Sequence, residues 1–289
     1  MAPSDRPATV GEALALGRQL STGESPPLTP TTAQALLAFV TGRGRAWLLA
    51  HREAPLPAAD ARRFVGLLER AAAGEPLAHL TGEREFYGLP FTVTPDVLVP
   101  RPETEALVDV ALAWARDHSV AAPRIVDVGT GSGAIAVTLA VRLPGARVTA
   151  VELSEPAIRI AQGNVERHGV AERVALVLGD LLRPLAGPFD IIVANLPYIN
   201  QQEIEALDVG RWEPRIALDG GPDGLDLVRA LLEQAPSRLA PGGLVALEIG
   251  YDQGPRAVAL CRAAFPGAGV ALLPDLAGLD RIVKVETHA

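Results

Sequence analysis

Apolar residues follow two different spacings along the chain. Over the first 75 residues they recur every three or four positions, which is the spacing of helices with one buried face. Predicted helices begin at the capping pair Thr9 and Glu12 and continue in the stretches 33–40, 47–49 and 58–73. Residues 23–30 are rich in helix breakers and separate the first two helices. This part of the chain is predicted to form a small α-helical domain over residues 1–75.

From residue 124 onward, short apolar runs alternate with helical segments. Runs of four to six apolar residues indicate buried strands of a parallel sheet. The predicted strands are 125–128, 147–151, 174–178, 191–194, 244–249, 269–273 and 281–286, and the predicted helices are 103–116, 134–142, 155–168, 224–239 and 255–265. We predict an α/β fold, a doubly wound seven-stranded Rossmann-like domain over residues 99–289. A linker over residues 76–98, containing a β-hairpin around Gly88, is expected to precede it.

Composition and charge exclude several classes of function. The chain has 289 residues, 48% of them hydrophobic, and a net charge of −8, so neither a nucleic-acid-binding nor an anionic-membrane surface is expected. One cysteine and five histidines without ligand spacing predict no disulfide and no metal site. No apolar run has membrane-spanning length, and a cytoplasmic monomer is expected. Residues 1–75 carry a net charge of +1, in contrast to the acidic remainder, which favours a separate domain.

A glycine-rich loop joins the first predicted strand to its helix. It consists of Gly129, Thr130, Gly131, Ser132 and Gly133. A strand, a glycine loop and a helix in this order bind nucleotides, and glycine allows the backbone to approach a ligand closely. The third glycine comes one residue earlier than in the dinucleotide fingerprint, and the loop is not a P-loop. We therefore predict that this loop binds a small nucleoside-containing cofactor.

Acidic side chains end the strands that flank this loop. Glu152 ends the second strand, where a carboxylate can accept both ribose hydroxyls of a nucleoside. Asp180 follows the third strand and is expected to accept a hydrogen from an adenine amino group, with Leu181 against the ring. Asp127, inside the first strand, is expected to face an ammonium group through the loop. The predicted cofactor is S-adenosylmethionine, and a nicotinamide dinucleotide is the alternative.

The fourth predicted strand is followed by a tetrad of residues, Asn195, Leu196, Pro197 and Tyr198. Ligands of such sheets bind at the carboxyl ends of the strands, and Pro197 stiffens the turn. The Asn195 side-chain oxygen and the Leu196 carbonyl can accept both hydrogens of a planar amino group, on which Tyr198 stacks. We predict Asn195 and Tyr198 as catalytic, all four as substrate-binding, and Asn195 also as a cofactor contact. The alternative is a structural strand end with Tyr198 in the core.

Arg101 lies between two prolines in a loop that precedes the predicted helix 103–116. Because the prolines stiffen this loop, Arg101 is expected to brace the mouth of the pocket and to contact the substrate. The alternative is a solvated loop charge.

Several segments together carry a more specific signal. They are residues 74–82, 85–88, 100–105, 127–133, 195–198, 213–221 and 248–254. This combination resembles the HemK/PrmC family, which methylates glutamine in peptide chain release factors. The resemblance implies methyl transfer from S-adenosylmethionine to the side-chain amide nitrogen of the Gly-Gly-Gln glutamine, which modulates translation termination. Leu196, Glu152 and Leu181 depart from the commonest family pattern, and none of them removes the predicted chemistry.

Three other functions remain open from the sequence. A glutamine methyltransferase acting on a ribosomal protein shares these residues and differs only in its substrate. A DNA adenine-N6 methyltransferase would use the same tetrad on a flipped base, although this acidic chain does not favour a basic cleft. The third is a cofactor-binding module without enzymatic activity. The helical domain is expected to bind the release factor, because a protein partner needs more surface than the tetrad provides.

Overall fold

The computed structural model describes residues 6–21, 28–207 and 209–288. Contacts between Cα atoms divide the chain into two compact units, Met1–Glu83 and Arg84–Ala289. This division falls inside the predicted linker 76–98, and the predicted domain boundaries at residues 75 and 98 stay predictions. Most of the predicted breaker segment, residues 23–27, lies outside the described residues.

The first unit is helical in its described part. Its helices are α1 (Val10–Leu20), α2 (Pro30–Thr41), α3 (Arg45–Ala50), α4 (Ala58–Ala72) and α5 (Leu77–Thr81). Thr9 Oγ1 accepts the Glu12 N–H at 3.2 Å and the Glu12 carboxylate accepts the Ala8 N–H at 2.7 Å, so the predicted cap of α1 is confirmed. The apolar faces meet in a core that includes the fully buried Leu36 and Phe64. The five-residue α5 has no counterpart among the predicted helices.

A β-hairpin precedes the large sheet. It consists of β1 (Glu83–Phe86) and β2 (Leu89–Thr92). Tyr87 and Gly88 between them have φ values of 54° and 76°, and two left-handed residues form the turn whose twist matches that of paired strands. The Tyr87 hydroxyl donates to Asp109 at 2.7 Å. The hairpin predicted around Gly88 is confirmed.

The second unit is built on one seven-stranded sheet. Its strands are β3 (Arg124–Val128), β4 (Arg147–Glu152), β5 (Val174–Leu178), β6 (Phe189–Ala194), β7 (Leu239–Glu248), β8 (Gly269–Pro274) and β9 (Asp280–Glu286). Their order is β5-β4-β3-β6-β7-β9-β8; β9 runs antiparallel to β7 and β8, and the other neighbouring strands are parallel. The chain passes from β3 outward to β5 and returns to β6 on the other side of β3. The predicted doubly wound sheet is confirmed, and its strand order reverses between β3 and β6.

Helices cover both faces of this sheet. They are α6 (Glu105–Asp117), α7 (Ala134–Arg142), α8 (Glu155–Arg167), α11 (Asp226–Gln234) and α12 (Gly254–Ala264), while the four-residue helices α9 (Gln201–Ile204) and α10 (Val209–Trp212) lie between β6 and α11. Neighbouring residues of a strand face opposite sides, so Ile125 packs with α6, α7 and α8, whereas Val126 packs with α11 and α12. Cys261 of α12 is wholly buried in the second of these cores. Burial raises the pKa of its thiol to about 12.

The segment between α11 and β7 differs from the prediction. The helix predicted over 224–239 ends at Gln234, and a 3₁₀ turn at Ala235–Ser237 follows it. Pro236 lacks the N–H that a continuing helix needs. β7 begins at Leu239, five residues before the predicted start at residue 244. The prediction missed these residues because two glycines interrupt the apolar pattern there. The four-residue helices α9 and α10 are too short to show a helical period in the sequence.

Candidate active site

A pocket of about 630 Å³ lies at the carboxyl ends of the strands around β3 and β6. Its volume is within the range of sites that hold small molecules and cofactors, and it lies where the strand order reverses. Its lining belongs to the second unit and includes the predicted residues Arg101, Gly129, Thr130, Gly131, Ser132, Glu152, Asp180, Leu181, Asn195, Leu196 and Pro197. The predicted residues Gly133 and Tyr198 do not line it. The structure therefore brings most of the predicted site together, while the roles of these residues stay predictions.

The glycine loop turns back on itself beside the pocket. Gly129, Gly131 and Gly133 have φ values of 74°, 56° and 81°, a left-handed backbone that other residues rarely adopt. The turn brings the Gly131 N–H to Glu152, whose Oε2 accepts it at 2.9 Å. Gly133 is the N-cap of α7 and belongs to the helix start. The loop thus exposes backbone atoms to the pocket, and three of its five residues have no β-carbon.

Asp127 is fully buried and does not line the pocket. Its Oδ2 accepts the Thr130 hydroxyl at 2.5 Å and the Ala136 N–H at 3.1 Å. Burial, opposed in part by these two hydrogen bonds, raises the pKa of this carboxyl to about 7. Oδ2 thus fastens the glycine loop to the first turn of α7, while Oδ1 is buried without a hydrogen-bond partner among the described residues. The expectation that Asp127 faces an ammonium group through the loop stays a prediction.

Glu152 ends β4 and lines the pocket. Its Oε1 accepts the Ser154 N–H and its Oε2 accepts the Gly131 N–H, both at 2.9 Å. These bonds fix the carboxylate plane, and each oxygen retains a lone pair for a second donor. A carboxylate held in this way suits a pair of neighbouring hydroxyl groups.

Asp180 and Leu181 follow β5 and line the pocket beside each other. Leu181 is buried and has a φ of 50°, which is uncommon for a residue with a branched side chain. Asp180 pairs with Arg183 at 2.6 Å; the Arg183 side chain is largely exposed, and that of Asp180 is partly exposed. Leu181 provides an apolar surface next to the carboxylate oxygens of Asp180, and this combination suits a purine ring with an amino group.

Asn195 directly follows β6. Its Nδ2 donates to the hydroxyl of Thr104 at 3.0 Å, and Thr104 lies in the 3₁₀ turn that precedes α6. Leu196 is buried and, like Pro197, lines the pocket. Tyr198 is partly buried outside the lining, and burial raises the pKa of its hydroxyl to about 12. Stacking of Tyr198 on a substrate stays a prediction.

The Tyr198 carbonyl is held by a distant side chain and packs closely against a glycine. Gln253 Nε2 donates to the Tyr198 carbonyl at 2.9 Å. A β-carbon on Gly224 would lie 2.2 Å from the Tyr198 carbonyl oxygen, so this close approach requires glycine. Sequence reasoning noted Gln253 and residues 213–221 only as parts of resembling segments and assigned them no role.

Arg101 is anchored by a buried carboxylate. Its Nη2 pairs with Glu213 Oε1 at 2.5 Å, and the second oxygen of Glu213 accepts the Val99 N–H at 3.1 Å. Glu213 is only 6% exposed. The alternative of a solvated loop charge is therefore wrong: this pair joins the proline-rich loop to the segment that contains Glu213. The sequence signal for Glu213 was its place in one of the resembling segments.

The described residues contain neither a membrane-spanning helix nor a cluster of metal ligands. None of the helices in that part of the chain is long and apolar enough to cross a membrane. Within the same residues, no group of three or more His, Cys, Asp or Glu side chains is placed to hold a metal ion.

Comparisons with known proteins identify both units. A model of the PrmC N-terminal domain matches residues 12–82, and a model of the methyltransferase small domain matches residues 110–211. The release factor glutamine methyltransferase of Moorella thermoacetica is 47% identical over 276 residues, which cover 94% of this chain and 95% of that protein. The enzyme of the same name from Bordetella pertussis is 45% identical over 260 residues, covering 89% and 94%.

Solved structures show the same architecture at lower identity. A methyltransferase from Pyrococcus furiosus superposes with a TM-score of 0.51 and 21% identity, over 71% of this chain and 91% of that chain. The hMettl16 catalytic domain superposes with a TM-score of 0.54 and 18% identity, over 80% and 83%. At these identities the similarity shows the fold alone, which is that of a methyltransferase.

Proposed function

This chain belongs to the family of release factor glutamine methyltransferases, and we propose that it methylates the side-chain amide nitrogen of the Gly-Gly-Gln glutamine in a peptide chain release factor. The observation that carries the proposal is the Asn195 carboxamide in the lining of a pocket that also contains the glycine loop. The cofactor of this family is S-adenosylmethionine. Methylation at this glutamine would modulate translation termination.

The residues of the pocket fit this cofactor. S-adenosylmethionine supplies an activated methyl group, so the protein mainly has to align the reactants. In the proposal, Glu152 accepts the two ribose hydroxyls with the lone pairs that its backbone partners leave. Leu181 contacts the adenine ring, and Asp180 accepts a hydrogen from the adenine amino group. The backbone of the glycine loop contacts the amino-acid part, where side chains would take up space.

The end of β6 fits a carboxamide substrate. The nitrogen of a carboxamide is a weak nucleophile because its lone pair is delocalised into the carbonyl group. In the proposal, Asn195 Oδ1 and the Leu196 carbonyl accept the two amide hydrogens and hold the nitrogen toward the methyl group. Their partial negative charges stabilise the positive charge that develops on this nitrogen. Tyr198 stacks on the amide plane, and the proton leaves to solvent after transfer.

The helical unit is the proposed contact for the protein partner. Residues 12–82 match the PrmC N-terminal domain, and the unit has a hydrophobic core of its own. The net charge of the whole chain is −8, which disfavours DNA as the substrate because phosphate backbones are bound by basic surfaces. We propose that this unit binds the body of the release factor while the pocket binds the glutamine.

Peptide mapping tests the substrate. Incubation of a bacterial release factor with the protein and S-adenosylmethionine is expected to add a single methyl group, located by mass spectrometry on the glutamine of the Gly-Gly-Gln motif. A release factor with alanine at that glutamine serves as the matched control and should stay unmodified. A methyl group found on ribosomal proteins or on DNA, with none on the release factor, would contradict the proposed substrate.

Glu152→Gln tests the cofactor site. Gln keeps the shape of the side chain but loses the charge and one acceptor, so affinity for S-adenosylmethionine is expected to fall about 10- to 100-fold, as for a hydrogen bond to a charged group. Isothermal calorimetry measures this affinity directly. Glu155→Gln is the control, because Glu155 is exposed and pairs only with Arg159. Equal affinity of Glu152→Gln and the wild type would remove Glu152 from the site.

A further inference from the structure

A buried carboxyl group lies next to Asn195 and has no part in the chemistry described above. Glu248 is the last residue of β7 and is 2% exposed. β6 and β7 are parallel, and Ala194 is paired with Leu247, so Glu248 at the end of β7 lies beside Asn195, the first residue after β6. Burying a carboxyl group is costly unless it serves as a hydrogen-bond partner.

Glu248 lies beside the hydrogen-bonded pair Thr104 and Asn195. Asn195 Nδ2 donates to Thr104 Oγ1 at 3.0 Å. The Glu248 carboxyl lies close enough to the Thr104 hydroxyl and to the Asn195 side chain for both to lower its pKa. Its Oε2 is buried and has no hydrogen-bond partner among the described residues. The amide end of the Asn195 carboxamide is thus turned toward Thr104 and Glu248, and its oxygen is on the other side.

We propose that Glu248 is a positioning residue that, together with Thr104, fixes the orientation of the Asn195 carboxamide. An ionised carboxylate can only accept hydrogen bonds, so it attracts the NH₂ end of Asn195 and repels the oxygen. Oδ1 is then presented to the pocket, where the substrate amide needs an acceptor. The inference rests on the proposed function, because it assigns a purpose to the orientation of Asn195.

The proposal has a pH dependence with a definite sign. Burial raises the pKa of Glu248 to about 7, opposed by the Thr104 hydrogen bond and by the charge of Arg281. The carboxyl also faces Glu103 and the phenol of Tyr198, which stays neutral because its own pKa is raised to about 12. Below the pKa, the protonated carboxyl can donate as well as accept and no longer distinguishes the two ends of the Asn195 amide. Orientation, and with it turnover, should therefore increase as pH rises through about 7.

Glu248→Gln separates positioning from a merely structural role. This variant keeps the side-chain shape, cannot titrate, and is expected to lower kcat at pH 8 by about tenfold or more, with the affinity for S-adenosylmethionine unchanged. The rise of kcat between pH 6 and 8 should disappear. Thr104→Val should also lower kcat, while Thr104→Ser restores the hydroxyl and should restore activity. Asp190→Asn is the control, since Asp190 accepts the Arg124 N–H at 2.7 Å at the opposite end of β6.

A second measurement needs no substrate. The NMR signals of the Asn195 side-chain NH₂ group should shift with a midpoint near pH 7 in the wild type and stay constant in Glu248→Gln. A wild type that methylates glutamine, combined with NH₂ signals and a kcat profile that Glu248→Gln leaves unchanged, would overturn the inference. An NH₂ titration that depends on Glu248 supports it even where glutamine methylation fails, and that failure would count against the proposed function.

Discussion

Asn195→Ala is expected to lower the turnover number for glutamine methylation by about 10²- to 10³-fold, the usual cost of removing one preorganised polar contact from a transition state. Asn195 lines the pocket, and its Nδ2 is already held by Thr104 at 3.0 Å. Its oxygen therefore needs no reorganisation when charge develops on the substrate nitrogen. Alanine leaves the Leu196 carbonyl as the remaining proposed acceptor. Affinity for S-adenosylmethionine is expected to fall much less than turnover.

Asn200→Ala is the matched control for this variant. Asn200 is five residues further along, does not line the pocket, and only accepts the Gln202 N–H at 2.9 Å as the cap of α9. Its turnover should stay close to that of the wild type. Initial rates at saturating S-adenosylmethionine give both values. Near-normal turnover of Asn195→Ala would remove Asn195 from the reacting centre.

Removal of the helical unit is expected to abolish methylation of an intact release factor while cofactor binding persists. A variant that begins at Glu83 keeps the hairpin and the whole second unit. Each unit has its own hydrophobic core, and the residues that line the pocket belong to the second unit. The shortened chain should therefore fold and bind S-adenosylmethionine with the affinity of the full chain. It should lack the surface that holds the body of the factor.

Two substrates make this deletion informative. A short peptide containing Gly-Gly-Gln needs only the pocket, so the full and shortened chains should methylate it at similar rates. The intact factor should be methylated by the full chain alone. Equal rates on the intact factor would show that the helical unit does not contribute to substrate binding. Circular dichroism of the shortened chain serves as the folding control.

The parts of the site at strand ends could be predicted from the sequence because each follows an apolar run. Glu152 and Asn195 stand directly after predicted strands and Asp180 stands two residues after one, and a parallel sheet brings such positions to one edge. The same alternation of apolar runs and helices predicted the doubly wound class of the sheet. The order of its strands was not predicted, because it depends on which distant strands pair.

The supports of the site could not be predicted in this way. Glu213 reaches Arg101 across 112 positions of sequence, Thr104 reaches Asn195 across 91, and Gln253 reaches the Tyr198 carbonyl across 55. No local pattern marks such partners. Asp127 illustrates the same limit of sequence-based prediction, because a carboxyl at this place in a strand can face a ligand or hold the glycine loop. Only the fold decides between them.

The reactivity of Cys261 can report the local unfolding that separates α12 from the sheet. It is the single cysteine, and it is wholly buried between α12 and the sheet. A thiol reagent can reach it only after this helix separates from the strands, so the rate of modification follows the free energy of that separation. A ligand that binds only the closed form slows the reaction in proportion to its occupancy. The rate of reaction at this one sulfur atom therefore measures how strongly a bound compound stabilises the second unit. The measurement needs neither a substrate nor an attached label.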